Sequence, residues 1–428
     1  MDSKIKTKLN SFDGVLYLGH ASILVQLNGR SILMDPIVLA EPYSGSWTFF
    51  PPQYIEPSLY EVDAVVVSHI HQDHYDKEFL RKLRPDCQIF VIEGRESFDK
   101  SLKSLNLKNL VFLKANEVHE IFDHVFIFGL LHESNGIDAS TIIYNDNFSV
   151  YHGNDNYCSL EMIKQFHEII PEIDIACLPY AYIHWYPFLL VEELQTSERK
   201  METIELIEKY MEHCIMSAKE LKAKVVIPFG ANLVLDNGDA NSKMNLAVRT
   251  PLEFVDYVRE NHRDLEKVVQ PLNSGDAILM NEGNLLVHRD VVESSAQYRN
   301  RMSVFLQNRE NVLKSIDHIG LSINDFIAKT EAKIYTANSS IDFEMWFELN
   351  IGSSKIYLFV NPGAKIVETV SEFRSENPFY CFKLSLDASM RWISGSSFEE
   401  IIGTRRFELM RQPDEYRPDV LKFINTVL

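Results

Sequence analysis

The chain has 428 residues, of which 46% are hydrophobic and 24% charged, values typical of a globular protein that is long enough for two domains. Its net charge of −19 argues against binding to nucleic acid or to an anionic membrane surface. We expect a cytoplasmic protein with reduced thiols, because the chain shows no signal-peptide pattern, no membrane-length apolar segment and no C-x-x-C pair among its 5 cysteines.

The first 160 residues are predicted to be rich in β-strands. A strand pair with a glycine turn is predicted at 14–29, and the fully apolar run DAVVVSH predicts a strand that is covered on both faces. One helix is predicted at 74–85, where apolar residues follow helical spacing and a proline closes the segment. Further strands are predicted in the segments 30–36, 88–94, 110–115, 124–132 and 140–155, the last with a turn at 145–147.

A long helix is predicted from Ser197 to Lys222, with Ser197 as its N-cap, and a buried strand is predicted at 223–233. Strands that alternate with helices favour a layered α/β fold. The pattern changes near residue 290, after which a helix, two amphipathic strands and a helical end are predicted. We therefore expect a catalytic domain at 1–290 and a smaller α+β domain at 291–428.

The segment VVVSHIHQDH, residues 65–74, places three histidines and one aspartate directly after an apolar strand. His69 and His71 are two positions apart, so both can point in the same direction at the strand end. Asp73 and His74 follow in the turn, where both can face the same cavity. Imidazole and carboxylate groups are ligands for zinc, iron or manganese. Because four ligands are too many for one cation with open positions, we predict two metal ions side by side.

Two further strand ends carry candidate ligands. His132 ends the apolar strand at 124–132, and Asp155 ends the segment at 140–155, where its carboxylate can bridge both metal ions. Asp35 is expected to hydrogen-bond a ligand imidazole and so fix its tautomer. The predicted metal ligands are His69, His71, Asp73, His74, His132 and Asp155.

These motifs, in the order LGHASILVQLNGRSILMDP, SHIHQDH, His132 and Asp155, resemble the metallo-β-lactamase superfamily, for which H-x-H-x-D-H is a specific motif. The resemblance implies an αββα sandwich with a dinuclear metal site at one edge of its sheets. It also implies that His69, His71 and His132 hold one metal ion. Asp73 and His74 are then expected to hold the other, with Asp155 between the two ions.

One position departs from the pattern of that superfamily. A histidine usually follows its late strand, whereas this chain has Phe-Gly-Ala-Asn at 229–232. Three alternatives remain: Asn232 binds through its amide oxygen, the second metal ion has an extra open position, or His184 reaches in from the loop PYAYIHWYP. His184 and Asn232 are thus the candidate catalytic residues. Glu133 is a further possible ligand, and His20 is expected to line the cavity without binding metal.

Within the superfamily, VVVSHIHQDH, VIPFGANL and the carboxy-terminal segment 403–428 resemble the CMP-N-acetylneuraminate hydroxylase family, in the portion after its Rieske domain. The chain is also similar to di-iron monooxygenases of the metallo-β-lactamase fold. The cysteine–histidine pairs that hold a Rieske cluster are absent from this sequence. We therefore do not expect Rieske-dependent hydroxylation by this chain alone.

Three functions follow from these features. The first is a non-heme di-iron oxygenase acting on a small organic substrate with O₂ and an electron donor, because an extra open position suits dioxygen chemistry. The second is a dinuclear zinc hydrolase of an ester, thioester, lactone or phosphodiester. The third is a metal-binding accessory or lipid-handling protein. The expected cofactors are two metal ions, with iron favoured over zinc, and a homodimer is left open.

Two other segments bear on the substrate. The aromatic loop at 180–187 is expected to overhang the metal site and to gate the substrate. The segment DASMRWISGSSFEEIIGTRRFELMR resembles the end of sterol-carrier-like domains. The carboxy-terminal domain is accordingly interpreted either as an apolar pocket that recruits an acyl or polyketide substrate, or as a packing or dimerisation domain.

Overall fold

The structure is a computed structural model that describes residues 12–40, 42–132, 138–155, 157–235, 242–308, 322–337, 341 and 343–428. Its amino-terminal strands are β1 (Gly14–Gly19), β2 (Ser22–Leu27), β3 (Arg30–Met34), β4 (Trp47–Phe49), β5 (Ala64–Val66), β6 (Gln88–Ile92), β7 (Leu110–Leu113), β8 (Val118–Phe122), β9 (Val125–Leu131), β10 (Ala139–Tyr144), β11 (Ser149–His152), β12 (Ile175–Pro179), β13 (Val225–Phe229), β14 (Leu233–Leu235), β15 (Ala277–Asn281) and β16 (Asn284–His288). The carboxy-terminal strands are β17 (Glu344–Ile351), β18 (Ser354–Asn361), β19 (Ile366–Val370), β20 (Phe379–Leu384) and β21 (Phe407–Gln412).

The described α-helices are α1 (Pro42–Gly45), α2 (Lys77–Lys82), α3 (Glu96–Ser104), α4 (Leu160–Ile169), α5 (Ser197–Glu220), α6 (Lys243–Ala247), α7 (Pro251–Asn261), α8 (Ser295–Asn308), α9 (Ile323–Thr336), α10 (Leu386–Ile393), α11 (Phe398–Gly403) and α12 (Pro418–Val427). Short 3₁₀ helices lie at Pro57–Glu61, Glu192–Leu194 and Arg263–Leu265. Among the described helices, none combines the length and the apolar composition needed to cross a membrane.

Two sheets stack face to face in the amino-terminal part of the chain. The first has 8 strands in the order β16-β15-β1-β2-β3-β5-β6-β7, and the second has 6 strands in the order β13-β12-β11-β10-β9-β8. Apolar side chains of both sheets, such as Val25 of the first and Ile143 of the second, meet in one buried core between them. Helices α2 and α3 cover the outer face of the first sheet, and α4, α5 and α7 cover that of the second. The predicted αββα sandwich is confirmed.

Strand β5 is fully apolar because both of its faces are buried, and it ends directly before the candidate site. Ala64 and Val66 point into the core between the sheets, whereas Val65 and Val67 point into the core beneath α2 and α3. Side chains that alternate between two buried faces leave no polar position in the strand. The polar residues therefore begin only where the strand ends, at Ser68, and they project from a rigid edge of the sheet.

Two helix caps fix the segments on either side of the site. Asp76 caps α2 by accepting a 2.9 Å hydrogen bond from the Phe79 amide. Its other carboxylate oxygen accepts hydrogen bonds of 3.0, 2.6 and 2.9 Å from three successive amides at 38–40. Helix α5 begins at Ser197 as predicted, but its N-cap is Thr196, whose hydroxyl accepts from the Arg199 amide. The predicted N-cap was thus wrong by one residue.

The carboxy-terminal part forms a five-stranded sheet in the order β19-β18-β17-β20-β21, with helices against one face. Aromatic rings fill the space between sheet and helices: the Phe347 and Phe382 rings stack with centroids 5.7 Å apart, and the Trp392 ring lies 4.7 Å from that of Phe347. The predicted strands at 340–351 and 355–362 are confirmed as β17 and β18. A smaller α+β unit at the carboxy terminus is therefore present.

The two parts of the chain contact each other directly. The Trp47 indole nitrogen donates a 2.8 Å hydrogen bond to the Gly403 carbonyl, and Leu190 pairs with Leu409 in an isolated bridge. Helix α8 packs back on the amino-terminal part, where the Tyr298 hydroxyl donates to the Phe50 carbonyl at 2.8 Å. The domain boundary near residue 290 stays a prediction.

Candidate metal centre

His69 and His71 lie side by side just beyond the end of β5. His69 is fully buried, and its Nε2 lies 2.8 Å from Nδ1 of His71. On the other side of the ring, Nδ1 of His69 lies 2.9 Å from the Ser68 hydroxyl and 3.2 Å from a carboxylate oxygen of Asp138. The Ser68 hydroxyl donates its own proton to Asp35 at 2.5 Å, so it accepts a hydrogen bond from Nδ1 of His69. The proton of the neutral ring then lies on Nδ1, and the Nε2 lone pair is directed at His71.

A second group of donors forms around Asp73. Its Oδ2 lies 3.0 Å from Nε2 of His20 and 3.6 Å from Nε2 of His74. Nδ1 of His74 lies 2.7 Å from Oδ2 of Asp35, so the proton on that nitrogen is held by a carboxylate. Nε2 of His74 faces Asp73, and it can offer a lone pair to a cation once a bound cation replaces its proton. The predicted contact between Asp35 and a ligand imidazole is confirmed.

Asp155 lies between the two groups. Its Oδ1 is 3.0 Å from Nε2 of His74, and its Oδ2 is 3.8 Å from Nε2 of His69. His74 Nε2 nevertheless forms no hydrogen bond with any described residue. Two ligand atoms that are each about 2.1 Å from one cation lie about 3.0–3.4 Å apart, which is close to the 3.0 Å between His74 and Asp155. The arrangement fits a shared cation better than a hydrogen bond.

The electrostatics of the cluster also fit cations. Burial opposes a charge on His74, but the neighbouring carboxylates of Asp155 and Asp73 outweigh it and raise its pKa well above the usual value. Burial lowers the pKa of His69 well below its usual value, with His74 and His71 adding to the effect, so that imidazole stays neutral. Burial opposes ionisation of Asp73, yet His74 and His20 lower its pKa. Positive charge is favoured between these groups, and their nitrogen and oxygen donors suit divalent metal ions.

The side chains of His132 and Asn232 have no contact with the clustered histidines and aspartates among the hydrogen bonds and ion pairs given above. His132 is buried at the end of β9, and its amide donates a 2.9 Å hydrogen bond to the carbonyl of Asp138, the residue whose carboxylate contacts His69. Glu133 lies outside the described residues. The Asn232 amide oxygen accepts a 2.6 Å hydrogen bond from the Tyr17 hydroxyl, so the structure engages that oxygen away from the predicted ligands.

His20 was expected to line the cavity, but it is buried behind the cavity wall and contacts Asp73. It lies in the turn between β1 and β2 with a positive φ of 51°, and its carbonyl accepts a hydrogen bond from Gly230, just beyond β13. The docking of this turn against the end of the late strand brings His20 next to Asp73. The sequence offered one signal, a histidine at the tip of a tight turn between two apolar strands. Asp138 carried no comparable signal, because it contacts His69 only through the packing of the sheets.

A cavity of about 570 Å³ opens over the cluster. Its walls include His71, Asp73 and Asp155 on the metal side and His184 in the aromatic loop. Eight aromatic side chains line the amino-terminal wall: Tyr43, Trp47, Tyr75, Tyr157, Tyr182, Trp185, Tyr210 and Phe229. The carboxy-terminal part contributes residues from α11 and from the turn after it. The volume is that of a pocket for a small organic molecule.

The His184 ring is held in one tautomer. Its Nδ1 accepts a 3.1 Å hydrogen bond from the Tyr186 amide, so the proton of the neutral ring lies on Nε2. Burial, with a smaller effect of the Arg405 charge, lowers the pKa of His184 to about 4. At neutral pH, His184 is therefore an uncharged hydrogen-bond donor in the cavity wall and has no free lone pair for a metal ion.

An αββα sandwich with clustered His and Asp side chains at one sheet edge, open to a cavity, defines a metal-dependent enzyme of the metallo-β-lactamase fold. The sequence profile of the beta-lactamase superfamily domain matches residues 14–230. The chain belongs to this superfamily. All the predicted metal ligands lie within the matched residues.

Several proteins are similar to parts of the chain. A putative Rieske 2Fe-2S iron-sulfur protein of Mycolicibacterium smegmatis is 27% identical over 226 residues, which are 50% of this chain and 42% of that protein. A UPF0173 metal-dependent hydrolase of Sulfolobus acidocaldarius is 29% identical over 168 residues, 38% of this chain and 69% of the relative. The cytidine monophosphate-N-acetylneuraminic acid hydroxylase of Pongo pygmaeus is 30% identical over 82 residues, 18% of this chain and 14% of that enzyme. The chain thus spans less than half the length of the first and third relatives.

Among solved structures, CmlA, a diiron beta-hydroxylase from Streptomyces venezuelae, is similar at 14% identity and a TM-score of 0.44. The similarity covers 64% of this chain and 54% of that one. A similarity of this size gives no information about the reaction.

Proposed function

We propose that this metal-dependent enzyme is a dinuclear hydrolase that cleaves an ester, thioester or lactone in a small organic substrate. The observation that supports it is the position of His20, 3.0 Å from Asp73. The missing histidine after the late strand favoured an oxygenase, because it leaves the second metal ion with an open position. With His20 beside Asp73 and His74, the second group has two imidazoles, so the missing histidine no longer favours an oxygenase.

The proposed ligands are His69, His71 and His132 for one cation and Asp73, His74 and His20 for the other, with Asp155 shared between them. Bound divalent cations would supply hydroxide at neutral pH and polarise the carbonyl of the substrate. Ser68 and Asp35 hold Nδ1 of His69 and of His74, so the Nε2 atoms of both rings are directed towards Asp155. For every residue except His132 the assignment follows from the distances above; His132 is assigned from its buried position at the end of β9 and from the resemblance to the superfamily.

The cavity supplies the remaining groups for hydrolysis. His184 carries its proton on Nε2 and can donate a hydrogen bond to the oxygen on which negative charge develops. Tyr43 lies 3.4 Å from Asp73 through its hydroxyl, and burial, with Asp73 adding to the effect, raises its pKa well above the usual value. Tyr43 therefore stays protonated and can hydrogen-bond a departing oxygen or sulfur. The aromatic walls exclude water from the bond that is cleaved.

A second candidate is a di-iron oxygenase. It is favoured by the similarity to a putative Rieske protein and to a hydroxylase, and by donors that serve iron as well as zinc. Electrons would have to come from a separate protein, since the sequence has no cysteine–histidine pair for a Rieske cluster.

The two candidates differ in their need for oxygen. We would load the metal-free chain with zinc, manganese or ferrous iron under anaerobic conditions and assay p-nitrophenyl acetate, a phenyl thioacetate and a γ-lactone. The proposal predicts metal-dependent hydrolysis without oxygen. Asp155→Asn should abolish it, whereas Asp146→Asn, in the exposed hairpin turn, should retain it. Product formation only with iron, oxygen and a reductant, with no hydrolysis under any metal, would favour the oxygenase.

A further inference from the structure

The carboxy-terminal part places one arginine in the wall of the metal cavity. Arg405 follows α11, which ends at Gly403, and it lines the cavity together with Asp73 and Asp155. The nearby arginines have carboxylate partners: Arg406 lies 3.4 Å from Asp387. Arg405 therefore differs from its neighbour in facing the proposed reaction site.

The guanidinium of Arg405 has only carbonyl partners within the described part of the chain. It donates a 2.8 Å hydrogen bond to Ile402 in its own turn and a long 3.4 Å one to Ile183, and its Nε has no partner. The Trp47 ring lies 5.7 Å below the charge. The half-buried guanidinium has no hydrogen-bonded carboxylate in the described part of the chain, although the charge of Asp73 acts on it across the cavity. Its free hydrogen-bonding capacity therefore suits an anionic group that enters the cavity.

The backbone at this position adds an independent observation. Arg405 has a φ of 58°, in the left-handed region, directly after a helix end. Helices commonly end with glycine in this conformation, because it costs other residues about 1 kcal/mol or more in conformational free energy. The chain keeps a strained arginine where glycine would be relaxed, and residues in strained conformations cluster at ligand sites.

We infer that Arg405 binds a carboxylate group of the substrate, at the end opposite the bond that is cleaved over Asp73 and Asp155. The identity of that cleaved bond rests on the proposed hydrolase function. The flat guanidinium matches a carboxylate in a two-pronged hydrogen bond, through nitrogens that the Ile402 and Ile183 carbonyls leave incompletely used. The substrate class is thus a small monocarboxylic acid that carries an ester, thioester or lactone and an aromatic or otherwise flat body.

The charge of the wall favours a carboxylate over a phosphate. Glu399 and Glu400 line the same side of the cavity as Arg405, and Lys77 is the other cationic residue among the described lining residues. Two additional carboxylates disfavour a dianion more than a monoanion. The aromatic side chains Trp47 and Tyr182 supply flat surfaces for the body of the ligand.

The test uses binding of 3-phenylpropionate, its neutral amide 3-phenylpropionamide, and phenyl phosphate to the full chain, measured by calorimetry. Each is measured with zinc-loaded and with metal-free protein, so that a carboxylate held by metal alone is recognised. We expect the carboxylate to bind both forms at least about tenfold more tightly than the amide, the range for a hydrogen bond to a charged group. Loss of hydrolase activity in every assay would leave this binding result intact, so the two proposals fail separately.

The variants assign the binding to one residue. Arg405→Gln should weaken carboxylate binding at least about tenfold, and Arg405→Lys should recover part of it, with unchanged zinc content and amide affinity. Arg406→Gln, which removes the adjacent paired arginine, should bind as wild type. If Arg405→Gln does not fold, Arg405→Lys and the ligand series decide. The proposal is overturned if the carboxylate and the amide bind with equal affinity, or if both glutamine variants lose the same affinity. It is also overturned if the carboxylate binds only to zinc-loaded protein, or if phenyl phosphate binds more tightly than the carboxylate.

Discussion

Individual side chains control the site by fixing which ring nitrogen of each histidine is available. Asp35 holds Nδ1 of His74 at 2.7 Å, and the Ser68 hydroxyl holds Nδ1 of His69 at 2.9 Å. Each contact leaves the opposite nitrogen of the ring directed towards Asp155. The proposed ligand atoms thus depend on two side chains, Asp35 and Ser68, that do not themselves line the cavity.

The proposed assignment of His20, and not Asn232, as a metal ligand gives a direct prediction. His20→Ala should lower the metal content from about two ions per chain to about one, because Asp73 and His74 then lack their third partner. Asn232→Ala should leave the metal content unchanged and cost about 1 kcal/mol of unfolding free energy, since the buried Tyr17 hydroxyl loses an acceptor. Elemental analysis and urea denaturation check both variants. Metal loss in Asn232→Ala with none in His20→Ala would contradict the assignment.

The lowered pKa of His184 predicts that the unfolding free energy of the chain depends on pH. Its pKa is lowered to about 4 in the folded chain, whereas an unfolded histidine has a pKa of about 6.5. The unfolded chain therefore binds a proton that the folded chain does not, and the stability contributed by neutral His184 is complete above about pH 6.5 and declines as the pH falls towards 4. From pH 7 to pH 5, metal-free wild type should lose about 1–2 kcal/mol more unfolding free energy than His184→Gln. Parallel losses in urea titrations of both proteins would refute the predicted burial of a neutral ring.

The motif H-x-H-x-D-H could be recognised as a metal site from the sequence because its residues are close together and follow an apolar strand. Asp155 could be recognised because it follows the end of another strand. His20 was expected at the cavity but not as a ligand, and Asp138 and Arg405 were not recognised at all, since each reaches the site through contacts between distant segments. Spacing along the chain reports local geometry and carries no information about such contacts.

At the scale of elements, the end of α11 is fitted closely against α1. A Cβ at Gly403 would overlap the Tyr43 ring, which itself lies 4.8 Å from the Trp47 ring. Gly403 is thus required where the carboxy-terminal part approaches the cavity wall. The close approach also places Arg405 two residues further on.

Gly403→Ala should therefore displace Tyr43 and change the cavity, while the strand ends that carry the proposed metal ligands stay in place and Asp73 loses only its long contact with Tyr43. We expect a loss of about 1–3 kcal/mol in unfolding free energy, typical of overpacking, with unchanged metal content and weaker binding of 3-phenylpropionate. Ser394→Ala, at the end of α10, is a matched control that should leave ligand binding as in wild type. Unchanged stability and unchanged binding in Gly403→Ala would show that the two helices are not closely packed.

The order of elements was largely predictable, because apolar runs and turn residues specify strands and helices locally. The turn at 145–147 was one such case: the Asn145 side chain accepts hydrogen bonds of 2.9 and 2.8 Å from the Asn147 and Phe148 amides. The docking of the β1–β2 turn on β13 was not predictable, because it depends on the stacking of the two sheets.

For the whole molecule, the carboxy-terminal part closes the cavity that the sandwich opens. Trp47 and Gly403 join the two parts by a hydrogen bond, and Arg405 adds a cation to a wall otherwise supplied by the amino-terminal part and by Glu399 and Glu400. This geometry favours a role in substrate binding over a role in packing alone. Recruitment of an acyl or polyketide group and a homodimer stay predictions.

We expect side chains from separate strand ends to hold a pair of metal ions. The decisive measurement is elemental analysis of the purified full chain, with His71→Ala, Asp73→Ala and the exposed-turn control Asp146→Asn prepared in parallel. We predict about two metal ions per chain in wild type and in Asp146→Asn, and at most about one in His71→Ala and Asp73→Ala, with all four proteins folded. A wild-type chain without bound metal, or ligand variants with the full wild-type content, would contradict the claim and leave an accessory or lipid-handling role.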